Sequence, residues 1–364
     1  MHVGRSLFVI PSLRGGGAER VFTLVLNGLA ARGFDMHLAL CQNEGCWLER
    51  LSPAVTVHDL CSPRVRQAGW PLSRLVRSLR PQSVLSTSSH LNTIAGLFRP
   101  LFGRQSSLVL REVNINHFEP AMLKGLRGTM MRRGYQAADK VICLTDGMRE
   151  LVTRHLGVPS SKLVRIFNPL EWTSDSAERC APPSHAVAKG KRLVAIGTLE
   201  HRKGFDRIIA ALPRLLGQFP ESTLTIFGDG LERPALEAQI LELGLRDQIR
   251  LPGFSSSVAN ELRNADLFVL ASRFEGLPNV LLEAIAARCP FVVVVHPGGT
   301  REVVELLGEE QRLTTALDAW KPEWFKSIAP RTVSLAQHHF GYDSIVQQYA
   351  NVLFPEAASR RLAA

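Results

Sequence analysis

Asp266-Leu-Phe-Val-Leu-Ala-Ser-Arg-Phe-Glu-Gly-Leu-Pro-Asn-Val-Leu-Leu-Glu-Ala-Ile-Ala-Ala-Arg288 is the stretch whose reading decides the fold. Leu267–Leu270 is an apolar run of strand length, Gly276 and Pro278 interrupt it, and Val280–Ala287 is apolar at helical length. A strand that hands over to a helix in this way brings a helix N-terminus to its own carboxyl end. The unpaired N–H groups of that first turn, with the helix dipole, form a seat for phosphate. Glu275 and Glu283 frame the seat, with seven residues between them.

The same alternation runs outward in both directions. Before the stretch, Leu193–Ile196, Leu224–Phe227 and a strand ending at Leu251-Pro-Gly-Phe254 alternate with helical segments, of which Phe205–Leu216 is the clearest. After it, Phe291–Val295 is a continuous apolar run suited to a central parallel strand buried on both faces. The first half repeats the pattern, with strands expected at Leu7–Ile10, Met36–Cys41, Val55–Asp59, Ser83–Ser86, Ser107–Leu110, Lys140–Leu144 and Leu163–Ile166, and with Ala18–Arg32 as a helix closed by Gly33. The chain of 364 residues exceeds one ordinary core and suits two domains of about 150–200 residues each. Glu171–Lys191, polar and carrying Pro182-Pro183, reads as the linker between them, so the expected division is 1–170, a linker at 171–191, and 192–343, with a helix over Ser344–Leu353. From Glu309 to Val333 the pattern is uninformative, and Ser359–Ala364 is expected to fray.

Gly15-Gly-Gly17 invites a dinucleotide-binding reading, but Arg20 stands where a third small residue is needed, and Gln42-Asn43 where an acid should follow the second strand. No H-E-x-x-H or D-x-D motif is present, and six cysteines show no C-x-x-C spacing, which points to buried reduced thiols and no metal. No run reaches the roughly 18 apolar residues of a membrane helix, and the short apolar start at Leu7–Leu13 reads as a strand, so a cytoplasmic protein is expected. Charge is unevenly placed. Residues 1–170 carry 22 Lys and Arg against 10 Asp and Glu, whereas 171–364 carry 21 against 23. The basic half predicts attraction to a phosphate-rich surface, and Lys124–Arg133, mixing cations with Leu126, Met130 and Met131, has the composition of a helix lying on an anionic membrane. Aromatics that would stack on bases are not interleaved with that charge, which argues against nucleic acid.

The pair Glu275 and Glu283 around Gly-Leu-Pro-Asn-Val-Leu-Leu resembles the E-x7-E signature of retaining glycosyltransferases, above all glycosyltransferase family 4. Other segments agree in order: Gly15-Gly-Gly-Ala-Glu-Arg20 resembles the family's G-G-x-E turn, Asn168-Pro169 its domain junction, Gly197-Thr-Leu-Glu-His-Arg-Lys-Gly-Phe205 its G-R-L-x-x-x-K-G-[FM] turn, and His296-Pro-Gly-Gly-Thr-Arg-Glu302 its G-G-x-x-E turn. The resemblance implies a GT-B fold, two Rossmann-like α/β domains facing across a cleft, with residues 344–364 crossing back onto the first. It implies transfer of a sugar, with retention and without a metal or other cofactor, from a nucleoside-diphosphate sugar (UDP by family frequency, GDP as the other option) to a lipid-linked or surface-polysaccharide acceptor at the inner face of a membrane. By the same resemblance Glu275 contacts the donor sugar, Glu283 the ribose, and Lys203 the leaving diphosphate, with Arg202 as the substitute for the arginine that Thr198 replaces. Gly16, Gly17, Thr198, Gly228, Gly230, Phe254, Gly276, Leu277, Pro278, Asn279 and Val280 complete the donor side, and His90, Arg111, Glu112 and His117 are expected on loops of the acceptor side. Two further classes stay open at this level: a sugar-nucleotide hydrolase or epimerase of the same fold, and a noncatalytic basic binder of membranes or polyanions.

Overall fold

The computed structural model of the protein describes residues 4–114, 118, 123–172, 190–255 and 257–355. Two compact units divide the chain: Met1–Pro169 together with Tyr342–Ala364, and Leu170–Gly341.

The first unit is built on a seven-stranded parallel sheet ordered β3-β2-β1-β4-β5-β6-β7. Its strands are β1 (Arg5–Ile10), β2 (Asp35–Leu40), β3 (Thr56–Asp59), β4 (Ser83–Thr87), β5 (Ser107–Glu112), β6 (Lys140–Cys143) and β7 (Leu163–Arg165), each within two residues of its expected bounds. Helices cover both faces, so the inner strands are buried along nearly their whole length: Leu7, Phe8, Val84, Leu85 and Leu110 are wholly buried, and so are the hydroxyl residues Ser6, Ser83 and Ser86. The covering helices are α1 (Gly17–Ala31), α2 (Gly69–Leu79), α3 (Ser89–Leu97), α4 (Gly125–Gln136), α5 (Asp146–Leu156) and, from the far end of the sequence, α12 (Tyr342–Leu353). That last helix is tied down by Tyr342, whose hydroxyl donates to Leu24 O at 3.1 Å, by the Arg32–Asp343 pair at 2.7 Å, and by Tyr349, whose hydroxyl accepts from Arg111 Nε at 2.8 Å. Phe34 stacks on Phe354 with ring centroids 4.2 Å apart.

The second unit holds a six-stranded parallel sheet ordered β10-β9-β8-β11-β12-β13. The strands are β8 (Arg192–Ile196), β9 (Thr223–Phe227), β10 (Ile249–Gly253), β11 (Leu267–Leu270), β12 (Phe291–Val294) and β13 (Leu313–Thr314), with helices α6 (Phe205–Gln218), α7 (Arg233–Glu242), α8 (Val258–Asn264), α9 (Asn279–Ala286), α10 (Thr300–Leu306) and α11 (Pro330–Phe340). The segment that is silent in the sequence, Glu309–Val333, contains β13 and two short 3-10 turns gathered around a buried ion pair. Arg312 Nε lies 2.6 Å from Glu309 Oε2; its other nitrogens donate to the carbonyls of Trp324 at 3.0 Å and Lys326 at 2.9 Å, while Thr332 Oγ1 donates to the second Glu309 oxygen at 2.6 Å. Trp324 is wholly buried beside it.

Some expectations need correction. Cys41, Cys143 and Cys289 are buried free thiols, but Cys46 and Cys61 are exposed, because both stand in loops past the strands that would have covered them; Cys180 lies outside the described residues. Of the three apolar residues assigned to a membrane-facing helix, Leu126 is 77% exposed but Met131 is buried, since α4 packs on α3 through that side. Most of the linker and the segment 356–364 are outside the described residues. Among the described residues no helix is long and apolar enough to cross a membrane.

Candidate active site

Each sheet reverses its strand order once, and in open parallel sheets the crevice outside the carboxyl ends at that reversal is where ligands bind. In the second unit the reversal falls between β8 and β11. The loops leaving these two strands are the ones that carry Lys203 and Glu275.

After β8 the chain makes a 3-10 turn, His201–Lys203, and then passes through Gly204 in the left-handed region (φ 68°) before α6 begins. Gly204 is required twice over, since a Cβ there would lie 2.1 Å from Ala271 O in the loop after β11. Gly204→Ala is therefore expected to lower unfolding free energy by about 1–3 kcal/mol and to separate the two loops; chemical denaturation of the variant measures the first, and loss of nucleotide binding the second. Gly228 has a similar role at the neighbouring strand: with φ 135°, its missing Cβ leaves room for Gly197 O, and its N–H donates to Gly253 O at 2.8 Å. The loops after β8, β9 and β10 are thereby stitched together, with Gly230 packed against Leu199 O and Thr198 exposed on the surface.

Where the β8 and β11 loops meet, two cations converge on one buried carboxylate. Lys203 Nζ donates to Glu275 Oε1, Arg202 Nη1 lies 3.3 Å from Oε2, and Ser272 Oγ donates to Oε1 at 3.1 Å. Glu275 is only 7% exposed. Arg202 also pairs with Glu200 at 2.6 Å, so its guanidinium spans an exposed acid and a buried one. Arg202, the substitute expected for the arginine that Thr198 replaces, has a side chain that reaches Glu275.

The supporting groups went unnoticed in the sequence. Arg273 grips Asp206 through two bonds of 2.8 and 2.7 Å and donates to His201 O at 2.8 Å, which clamps the β11 loop to the turn that presents Lys203. That bidentate contact with Arg273 holds the Asp206 carboxyl below its ordinary pKa. Arg207, one helical turn beyond Lys203, donates to Ala271 O at 3.1 Å and has no acidic partner among the described residues. The signal that would have found these groups is their spacing: Asp206 and Arg207 follow the lysine turn, and Ser272 and Arg273 precede Glu275.

Beyond Glu275 the chain turns through Gly276, Leu277 and Pro278 into α9, whose first residues are Asn279 and Val280 and whose second turn carries half-buried Glu283. The loop is fixed from the other side by Gly299 N–H, which donates to Gly276 O at 2.9 Å. His296 is buried, donates from Nδ1 to Pro297 O at 2.8 Å and accepts from Thr300 Oγ1 at 3.0 Å. Burial lowers its pKa, so it stands as a neutral structural imidazole. Phe254 is 77% exposed just past β10, which removes a core-packing role for it.

In the first unit the candidates scatter. Gly16 and Gly17 sit exposed at the start of α1. His90 lies on α3, where its Nε2 accepts from Arg127 at 2.8 Å. Arg111 and Glu112 end β5, but loop positions do not hold for them: both are buried and turned inward. Arg111 binds Asn168 at 2.6 Å as well as Tyr349, and Glu112 accepts from Ser89, Tyr135 and the N–H groups of Val113 and Asn114. Complete burial pushes the Glu112 carboxyl up from its ordinary pKa. His117 lies outside the described residues.

The sequence profile described as Glycosyl transferases group 1 matches residues 181–310, which include Lys203, Glu275 and Glu283, and that described as Glycosyltransferase Family 4 matches residues 15–171. The chain belongs to glycosyltransferase family 4. Among family relatives, the N-acetylgalactosamine-N,N'-diacetylbacillosaminyl-diphospho-undecaprenol 4-alpha-N-acetylgalactosaminyltransferase of Campylobacter jejuni is 27% identical over 320 residues, 83% of each chain. The lipopolysaccharide core biosynthesis glycosyltransferase LpsD of Rhizobium meliloti is 26% identical over 301 residues, covering 76% of this chain and 74% of the relative. Of solved structures, Anabaena HepE in complex with UDP superposes with a TM-score of 0.75 at 21% identity, over 96% of this chain and 99% of its own. WaaG, a glycosyltransferase involved in lipopolysaccharide biosynthesis, gives 0.69 at 18%, over 96% and 99%. The fold of this family 4 glycosyltransferase is thus GT-B, with a seven-stranded and a six-stranded sheet.

Proposed function

We propose that the protein transfers a sugar, with retention and without a metal ion, from a UDP-sugar to a lipid-linked glycan, working at the inner face of a membrane. The observation that carries the reading is the convergence of Lys203 and Arg202 on buried Glu275 at the strand reversal, one short loop from the N-terminus of α9.

The chemistry requires two charges to be met as the bond from the anomeric carbon to the diphosphate breaks. Negative charge grows on the diphosphate, and Lys203 and Arg202, with the N–H groups that open α9, answer it with fixed positive charge in a site that excludes most water. This pair of cations takes the place that a divalent ion fills in metal-dependent transferases. Positive charge grows on the sugar ring, and Glu275, oriented by Ser272, is the carboxylate available to it. Glu283, on the second turn of α9, binds the ribose. The new bond to the acceptor oxygen forms on the face that the diphosphate leaves, and the acceptor proton passes to the departing phosphate, so no protein base is demanded. UDP as the carrier is supported by the UDP complex of HepE, and a lipid-linked acceptor by the diphospho-undecaprenol in the name of the Campylobacter relative.

A thermal-shift panel of UDP, GDP, ADP and their sugars in the presence of a chelator tests the reading. UDP and UDP-sugars are expected to raise the melting temperature, since a ligand that binds only the folded state stabilises it, and Glu283→Ala is expected to abolish the shift. A shift only with added metal, or one unchanged in Glu283→Ala, overturns the site as drawn.

A further inference from the structure

The Lys203–Glu275 cluster is electrically closed on itself. Arg202 and Lys203 bring two positive charges, and Glu200 and Glu275 bring two negative ones. Arg273, the next cation, is matched by Asp206, and Arg207 is directed to Ala271 O at 3.1 Å. A diphosphate arriving at Arg202 and Lys203 therefore meets a balanced quartet and not two free cations.

Arg202 is restrained on both of its edges. A guanidinium grips phosphate most strongly through two adjacent N–H groups, either Nε with Nη2 or Nη1 with Nη2. Here Nε donates to Glu200 Oε2 at 2.6 Å and Nη1 to Glu275 Oε2 at 3.3 Å, while Nη2 has no partner among the described residues. Each edge is half occupied by a carboxylate, so a bidentate grip on phosphate requires one of the two to leave. Glu275 is held, since its side chain is 8% exposed and keeps Lys203 and Ser272. The Glu200 side chain is 46% exposed and has no second partner among the described residues. Its backbone is fixed: buried Leu199 donates to Asp229 O at 3.0 Å, and Glu200 O accepts from Lys203 N–H at 2.9 Å. Only the Glu200 carboxylate is free to swing away.

We propose that Glu200 is a displaceable counter-ion of the donor site. It occupies Arg202 while the site is empty, gives way to phosphate when a nucleoside-diphosphate sugar binds, and retakes Arg202 as the nucleoside diphosphate leaves. The inference rests on the assignment of Arg202 to the donor diphosphate and adds how that grip is undone. Two cations and a helix N-terminus with no competitor would hold the product diphosphate firmly and delay its release. A half-exposed carboxylate suits the competing role, because its pair with arginine is weak enough to break and the freed anion is rehydrated. Supplying the arginine from position 202 places it two residues from Glu200 in the same turn, so the competitor is never far from its target.

Calorimetric titration of the whole chain with UDP and, separately, with inorganic diphosphate tests it. Glu200→Gln, which removes the charge and keeps the length, is expected to bind both probes about fivefold more tightly. The gain should appear as slower dissociation of UDP in stopped-flow measurements, and KM for the UDP-sugar and the inhibition constant of UDP should both fall. Damage to the site does not tighten binding, so the direction of the change separates displacement from lost structure. In an Arg202→Ala chain, Glu200→Gln is expected to change either affinity by less than about twofold, because the two residues act through one contact. Weaker binding by Glu200→Gln overturns the proposal and makes Glu200 a support that Arg202 needs, and unchanged binding overturns it as well. An equal tightening in the Arg202→Ala chain also overturns it, in favour of general repulsion between Glu200 and phosphate. Inorganic diphosphate bound more tightly by Glu200→Gln, with no binding of UDP to either chain, upholds the displacement and counts against the UDP assignment alone. Absence of binding by both probes to both chains overturns the two together.

Discussion

Replacing Lys203 by alanine is expected to lower kcat for UDP-sugar turnover by about 10²–10³-fold, the usual cost of removing one preorganised donor to a developing negative charge. The magnitude follows from burial. The Lys203 side chain is only 13% exposed, so its charge is poorly screened and its interaction with the diphosphate oxygens grows most in the transition state, when the bond to the sugar has lengthened. KM should move far less than kcat, since that growth is the portion the substrate complex does not realise. The fold should survive, because Glu275 keeps Ser272 at 3.1 Å and Arg202 at 3.3 Å. Steady-state kinetics on a variant of unchanged melting temperature is the measurement; a kcat within a few-fold of the parent would assign Lys203 to holding Glu275 and not to the leaving group. Lys203→Ala combined with Glu275→Gln separates the roles further, since a purely positioning lysine loses nothing more once its carboxylate is gone.

Breaking the buried ion pair of the second unit should have the largest effect on stability. Arg312→Ala leaves the Glu309 carboxylate, 5% exposed as a side chain, without its cation, and such a change costs about 3–5 kcal/mol. For a unit of this size that lowers the melting temperature by on the order of 10 °C. The carbonyls of Trp324 and Lys326 lose their donor at the same time, which loosens the two turns that wrap Trp324. The paired replacement Arg312→Met, Glu309→Leu should recover most of the loss, because no isolated charge then remains buried. Calorimetric scans of the three chains check both statements; a double variant as unstable as the single one would show that the carbonyl bonds, and not the charge, hold the region.

The same ion pair explains where the sequence was silent. Strands such as β1, β11 and β12 were legible because both faces are covered, so nearly every residue is apolar and the run ends where the strand does. Glu309–Val333 offers no such run: its strand, β13, has two residues, and its centre is a pair of charged side chains that read as surface. Arg111 misled in the same way, since an arginine at the end of an apolar strand suggests a loop of the acceptor side, whereas here it is buried between Asn168 and Tyr349. At the candidate site, glycine spacing and the E-x7-E pair pointed to Lys203, Glu275 and the α9 turn, because their order along the chain is itself the motif. Arg273, Asp206 and Arg207 were hidden because their role is to hold loops together, which depends on contacts between segments some 65 residues apart that no linear pattern records.

The return of α12 to the first unit has a consequence for how the protein is made. Ribosomes deliver β1 to β7 early, yet the groove that Ile345, Val346, Tyr349 and Leu353 fill stays open until the whole of the second unit has been translated. Through that interval Arg111 lacks the Tyr349 hydroxyl and Gly28 the ring of Tyr342 that it makes room for. The second unit, continuous in sequence from Leu170 to Gly341, has all its pieces first, so the half synthesised first is the half completed last, and a premature stop before Tyr342 would cripple the first unit and spare the second.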